Sequence, residues 1–288
     1  MSGVLPALVR AARPRQWVKN VLVVAGPLAA GTVLQHLPEI AVAFVAFCLV
    51  SSAVYLFNDL LDVEADRAHP VKRLRPIASG ALPVPVAAVA AVVLVVLSLG
   101  GTALLGYGSL TAVLAVYAAI QAAYCLWLKH QAVLDLAVVS SGFLLRAMAG
   151  GVAASVVLSP WFLLVASFGS LFMVAGKRYS EVHLVGEGKS ATRRTLELYS
   201  ASYLRFVWGI ACSATLTFYA LWAFGLDREY ELLPQLSLVP FTLALLRYAI
   251  DIDKGAAGEP ESIVLGDRVL QVLGVAWLVI FATSAVLG

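Results

Sequence analysis

Charge is scarce in this chain: Asp, Glu, Lys and Arg make up 13% of its 288 residues, while 61% are hydrophobic. Soluble domains carry roughly 25% charged residues, so an ordinary soluble fold is excluded. The net charge of +3 is too small to argue for nucleic acid as a partner. Cysteine is also sparse. Cys48, Cys125 and Cys212 all fall in apolar runs without metal-ligand spacing, and read as small buried hydrophobes. Polar linkers are missing, so the chain reads as a single membrane domain over 1–288 rather than the two domains its length alone would suggest. The N-terminus shows no signal-peptide pattern: Arg10, Arg13, Arg15 and Lys19 lead into an apolar run without a small-residue cleavage site.

Long apolar runs dominate instead. A spanning helix needs about 20 apolar residues, and by that measure about nine are predicted. They lie near 17–35, 39–59, 83–105, 108–127, 131–155, 159–177, 200–223, 233–250 and 267–287. Proline and glycine punctuate them, as at Pro70, Pro76, Gly80, Gly106, Pro160, Pro234 and Gly255. The expected fold is therefore an all-α polytopic bundle in the lipid bilayer. The positive-inside rule puts the N-terminus in the cytoplasm. Arg67, Lys72, Arg73, Arg75, Lys129, Lys177, Arg178, Lys189, Arg193, Arg194 and Lys254 then fall in inside loops, and Arg228 in an outside one. A plasma-membrane protein with its chemistry at the cytoplasmic face is expected. Small residues such as Gly150 and Gly151 permit close helix contact and are compatible with a homo-oligomer.

Two polar constellations stand out. In the first, Asp59, Asp62 and Asp66 are spaced by three and then four residues, which places them on one helix face, with Asn58 on its flank. Crowded carboxylates repel unless a cation neutralises them. Hard oxygen ligands at a membrane boundary suit Mg²⁺ with phosphate and water completing its shell. Glu64 points elsewhere and reads as solvated. A proline-bounded loop follows, carrying Lys72, Arg73 and Arg75. These bases can bind phosphate oxygens or serve only as topology determinants.

The second constellation is Gly176-Lys177-Arg178-Tyr179-Ser180-Glu181, at the predicted end of the sixth span. Lys177 and Glu181 are four apart and can form an intrahelical ion pair. Alternatively, Lys177 and Arg178 take a phosphate while Glu181 helps at a metal or a ribose hydroxyl. Asp135 and Arg146 lie on one side of the fifth span, too far apart along the axis (roughly 16 Å) to pair. Each needs a partner on another helix or a wet cavity. Gln16 and Lys19 sit in a Trp-containing interfacial stretch and either anchor the chain or touch substrate. Tyr199, with Tyr203 one turn on, either borders the site or packs.

Asn58-Asp59-x-x-Asp62-x-x-x-Asp66 at the inner end of the second span resembles the first aspartate-rich motif of the UbiA superfamily of intramembrane prenyltransferases. Most members carry a second aspartate-rich segment after the sixth helix, where this chain has Lys177-Arg178-Tyr179-Ser180-Glu181. More closely, it resembles the decaprenyl-phosphate phosphoribosyltransferase branch. That likeness rests on Arg13-Pro14-Arg15-Gln16-Trp17-Val18-Lys19-Asn20, Asp66-Arg67-Ala68-His69-Pro70, Arg75-Pro76-Ile77-Ala78, Lys129-His130-Gln131-Ala132, Val174-Ala175-Gly176-Lys177-Arg178-Tyr179 and Tyr203-Leu204-Arg205-Phe206-Val207-Trp208. The resemblance implies a Mg²⁺-dependent transfer of 5-phosphoribose from phosphoribosyl pyrophosphate to decaprenyl (polyprenyl) phosphate, for arabinan cell-wall precursors. A conventional prenyltransferase acting on an aromatic acceptor shares the fold and first motif, and a lipid transporter or scaffold is the reading from another class.

Overall fold

The computed structural model describes residues 3–186, 194–225, 232–258 and 260–287. All regular structure in them is helical. In chain order the α-helices are α1 Val4–Ala12, α2 Ala25–Ala29, α3 Leu37–Leu61, α4 Val63–Ala68, α5 Val84–Leu104, α6 Gly108–Leu126, α7 Leu134–Ala153, α8 Pro160–Gly186, α9 Ala201–Phe224, α10 Leu232–Asp253, α11 Pro260–Gly266 and α12 Arg268–Leu287. Among the described residues, α3 and α5 to α10 supply seven helices long and apolar enough to cross a membrane, and Arg268–Ser284 of α12 is a shorter apolar stretch. The polytopic all-α character read from the apolar runs is thus present.

The first predicted span, 17–35, is not one helix. The chain there forms a 3₁₀ stretch, Pro14–Val24, then short α2, a turn at Gly31 (φ 73°) and a second 3₁₀ turn, Val33–Gln35. Pro27 is one cause: it has no N–H to give the carbonyl four residues back, at Val23. A second difference concerns α8, which runs on to Gly186 rather than ending near 177. Nothing in Lys177–His183 breaks a helix. The second polar constellation therefore lies inside a helix, not in a loop.

The chain divides into two compact units. The first comprises 1–27, 33–129 and 145–157. In it α3 packs against α1, the 3₁₀ stretch, α5 and α6. Its core holds Val23, Phe47, Val50, Leu110, Leu114 and Tyr117, with Leu56, Ile77 and Leu82 nearer the acid motif. The second comprises 28–32, 130–144 and 158–288. There α8 packs on α9, and α10 packs on α8, α9 and α12, around Phe172, Tyr179, Leu204, Tyr248 and Ile252. Gly176 lets α10 come close, since a Cβ there would overlap the Ile252 side chain. The Arg228 and Asp227–Glu231 connection, Lys189, Arg193 and the Arg194 side chain lie outside what is described.

Candidate active site

The acid motif sits where α3 hands over to α4. Asp62 caps α3 at φ −94°, ψ 8°, off the helical minimum. Hydrogen bonds nevertheless continue at helical spacing, from Asp62 N to Asn58 O at 3.1 Å and from Asp66 N to Asp62 O at 2.7 Å. The expected shared face therefore survives the junction. Asp59 and Asp66 are buried, Asp62 is part-exposed and Asn58 half-buried beside them.

Three bases from three parts of the first unit meet these acids. Arg13 Nη2 lies 2.7 Å from Asp59 Oδ1. Arg75 Nη1 bridges two carboxylates, 3.1 Å from Asp59 Oδ1 and 2.7 Å from Asp66 Oδ2. Lys129 Nζ reaches Asp62 Oδ1 at 2.8 Å. Buried acids need such partners, because desolvation of a lone carboxylate is costly. The cations that neutralise the cluster here are thus the protein's own side chains. The sequence reads Arg75 as a base for phosphate oxygens and Arg13 and Lys129 as interfacial or loop charges; in the fold all three lie on carboxylates. Glu64 is exposed, as expected, and pairs with Arg67 at 2.8 Å.

The loop after α4 is anchored from below. Ile77 and Leu82 are fully buried, and Leu82 N donates to Pro76 O at 2.8 Å. His69 Nδ1 accepts from the backbone N–H of Val71 and Lys72, both at 3.2 Å, and so shapes the turn. Lys72 is half-buried and Arg73 exposed, and neither pairs with an acid among the described residues. Gln16 and Lys19 ride half-buried on the 3₁₀ stretch that follows Arg13.

The donor chemistry of the cluster fits a hard divalent cation. One oxygen of each of Asp59, Asp62 and Asp66 is outside the ion pairs just described. No three His, Cys, Asp or Glu side chains among the described residues converge as a ready-made metal cage. Mg²⁺ does not demand one, since it commonly takes one or two carboxylates and completes its shell with phosphate and water.

The second constellation has a different character. Arg178, expected to meet a phosphate, is buried in α8. Its Nε lies 3.0 Å from Asp135 Oδ2 in the first turn of α7, and its Nη1 2.9 Å from Glu181 Oε2. Tyr199 OH donates to Asp135 Oδ1 and accepts from Val133 N–H at 2.6 Å. Burial, and then its bond to the Asp135 carboxylate, push the Tyr199 phenol well above its ordinary pKa. Tyr203 stacks on Tyr199 with ring centroids 5.9 Å apart. Glu181 pairs with Arg178 three residues back, and Lys177 is half-buried on α8.

Arg146, on α7 but in the first unit, has partners of its own. Its Nε donates to Asn20 Oδ1 at 2.7 Å and its Nη2 to Tyr117 OH at 2.9 Å. Asp135 and Arg146 thus each find a partner from another segment, as the cost of buried charge requires.

Known proteins bear out this architecture. The model of the UbiA prenyltransferase family matches residues 20–268. The decaprenyl-phosphate phosphoribosyltransferase of Mycobacterium tuberculosis is 52% identical, over 100% of this chain and 97% of its own. That of Corynebacterium glutamicum is 53% identical over 94% of this chain and 84% of its own. Among solved structures, a UbiA homolog from Archaeoglobus fulgidus bound to GPP and Mg²⁺ superimposes with a TM-score of 0.72 at 15% identity, covering 97% of this chain and 99% of that one. With the acid motif at the end of α3 and a family match over most of its length, the chain belongs to the UbiA prenyltransferase family.

Proposed function

We propose that this chain transfers 5-phosphoribose from phosphoribosyl pyrophosphate to decaprenyl or a similar polyprenyl phosphate, releasing pyrophosphate, in the supply of arabinan precursors for the cell wall. The observation that carries this reading over a prenyl donor is the identity of 52% across the whole chain to enzymes of that name. The first cluster supports it: three carboxylates suited to a hard cation lie at the end of α3, and the loop after α4 carries Lys72 and Arg73, bases suited to phosphate oxygens. The second cluster supports it too. Its acids Asp135 and Glu181 are tied to Arg178 rather than turned outward toward a second metal–diphosphate.

Mg²⁺, held by Asp59, Asp62 and Asp66, would supply charge neutralisation for the departing pyrophosphate. The protein's own groups do the rest by placement and electrostatics. Lys72 and Arg73 take phosphate oxygens of the substrates. Arg13, Arg75 and Lys129 hold the carboxylates in place. An oxygen of the acceptor phosphate forms the new bond to the ribose anomeric carbon as the bond to pyrophosphate breaks. The acceptor carries a charge of about −1.5 to −2 at neutral pH, so no strong base is needed. Attack opposite the leaving group inverts the anomeric centre. The lipid tail stays in the bilayer and the reacting head at the cytoplasmic face, where the basic loops are expected.

The test is incubation of the purified protein in detergent with Mg²⁺, ribose-labelled phosphoribosyl pyrophosphate and decaprenyl phosphate, followed by organic extraction. Label in the lipid phase, absent with EDTA, supports the proposal. Label transfer only from a prenyl diphosphate to an aromatic acceptor overturns it.

A further inference from the structure

The segment Pro14–Val24 lies in the first unit and is not α-helical, and it follows directly on the residue that pairs with Asp59. Its conformation is unfavourable in isolation. Eleven residues is long for a 3₁₀ stretch, because eclipsed side chains and poor hydrogen-bond geometry keep most such runs to about 3–4 residues. Arg13, at its head, is a non-glycine residue at φ 54°, ψ 59°, in the left-handed region. Such backbone persists only where its surroundings over-determine it.

The surroundings do so through side chains of other helices. Ser52 Oγ on α3 donates to Ala12 O and accepts from Trp17 Nε1, both at 3.0 Å, and so pins the chain on either side of Arg13. Farther along, Asn20 is fully buried. Its Nδ2 donates to Cys48 Sγ at 3.3 Å, and its Oδ1 accepts from Arg146 Nε. The Arg146 guanidinium is in turn fixed over the rings of Tyr117 and Phe47, 4.9 Å and 5.4 Å from their centroids. One turn on from Arg146, Gly150 leaves room for the Val23 carbonyl, which a Cβ at that position would overlap. A guanidinium inside a membrane helix is costly, and an apolar side chain would pack there at less cost. What Arg146 adds is a directed bond to the segment that leads back to Arg13.

We infer that Arg146 and Asn20 are positioning residues for the acid cluster: they hold the 14–24 segment in its 3₁₀ form and thereby place Arg13 on Asp59. The structural half of this inference stands without the proposed reaction, while its kinetic half rests on that reading.

Hydrogen exchange on the full-length protein in detergent, with Arg146→Met and Asn20→Leu, tests the first half. Amides of 14–24 are expected to exchange faster in both, with those of α5 unchanged. Asn20→Asp, which keeps an oxygen for Arg146, is expected to restore protection. If Arg146→Met does not fold, Asn20→Leu reads the same link with the Arg146–Tyr117 bond intact. Unchanged exchange at 14–24 overturns the inference. For the second half, Arg146→Met and Asn20→Leu are each expected to raise the donor KM on the order of tenfold while kcat stays within about twofold, and Asn20→Asp to bring KM back toward the wild-type value. In an Arg13→Ala background, Arg146→Met should add less than about twofold, because its effect runs through Arg13. Effects that multiply, or that fall equally on donor and acceptor, overturn the kinetic link. A folded wild-type protein that makes no phosphoribosyl lipid refutes the proposed function instead, and the exchange arm still decides the inference.

Discussion

The two charged clusters use similar side chains to opposite ends. Around Asp59, Asp62 and Asp66 the bases arrive from three separate segments, and the assembly keeps an open edge, with the Asp62 side chain 31% exposed. Around Asp135 one arginine meets two carboxylates and the Asp135–Arg178 pair is closed, with the two side chains 2% and 3% exposed. An open cluster can exchange a side-chain cation for a ligand at moderate cost. In the closed one, any exchange strands a buried charge. The contrast separates the proposed site for chemistry from a polar lock, and four measurements can break or sharpen it.

The largest effect is expected in the lock. Asp135→Ala leaves Arg178 short of a buried partner and should destabilise the protein by about 3–5 kcal/mol, read as a lowered thermal midpoint in detergent. Replacing both, Asp135→Leu with Arg178→Met, should recover part of that loss and not all of it, because Glu181 and the Tyr199 hydroxyl each lose a partner; no recovery would show that the cost does not lie in the unpaired Arg178 charge. Next comes Asp62→Ala in the open cluster. It should fold normally and lose about 100-fold or more in rate, and near-normal turnover would remove the acid motif from the mechanism.

The third measurement concerns pH. Tyr199 is held neutral in the folded state with its pKa raised, so its contribution is present below the unfolded phenol value of about 10 and lost as pH rises through the higher folded value. Wild-type stability should therefore fall more steeply above about pH 10 than that of Tyr199→Phe; parallel curves would argue against the Asp135 bond. The smallest effect is at Glu64, whose pair with Arg67 is exposed. Glu64→Ala should change stability by less than about 0.5 kcal/mol and leave turnover as it was.

Legibility in the sequence followed the range of the interaction involved. Spans from 39–59 onward appear as helices because an apolar run of sufficient length is a local signal. The run 17–35 satisfied the same rule and failed. Its backbone is set by Pro27 and by bonds from Ser52, Cys48 and Arg146, none of which a hydropathy window registers. The partners of Arg178 were hidden for a related reason. Beside Lys177 in the sequence it reads as one of two surface bases, but helical geometry turns it inward to Asp135, 43 residues away. Arg13 and Lys129 went unread as partners of the acids because nothing local distinguishes them from ordinary interfacial cations.

By itself, the amino-acid order determined that this is an all-helical membrane protein with three acids on one side of a helix end. Both follow from short-range rules: the length of an apolar run against the thickness of a bilayer, and the 3.6-residue turn. Only the tertiary structure decided which base meets which acid. Arg13 reaches Asp59 across 46 positions and Lys129 reaches Asp62 across 67. An ion pair needs its atoms within about 4 Å, and only the packing of α1, α3 and α6 brings segments so distant in the chain that close.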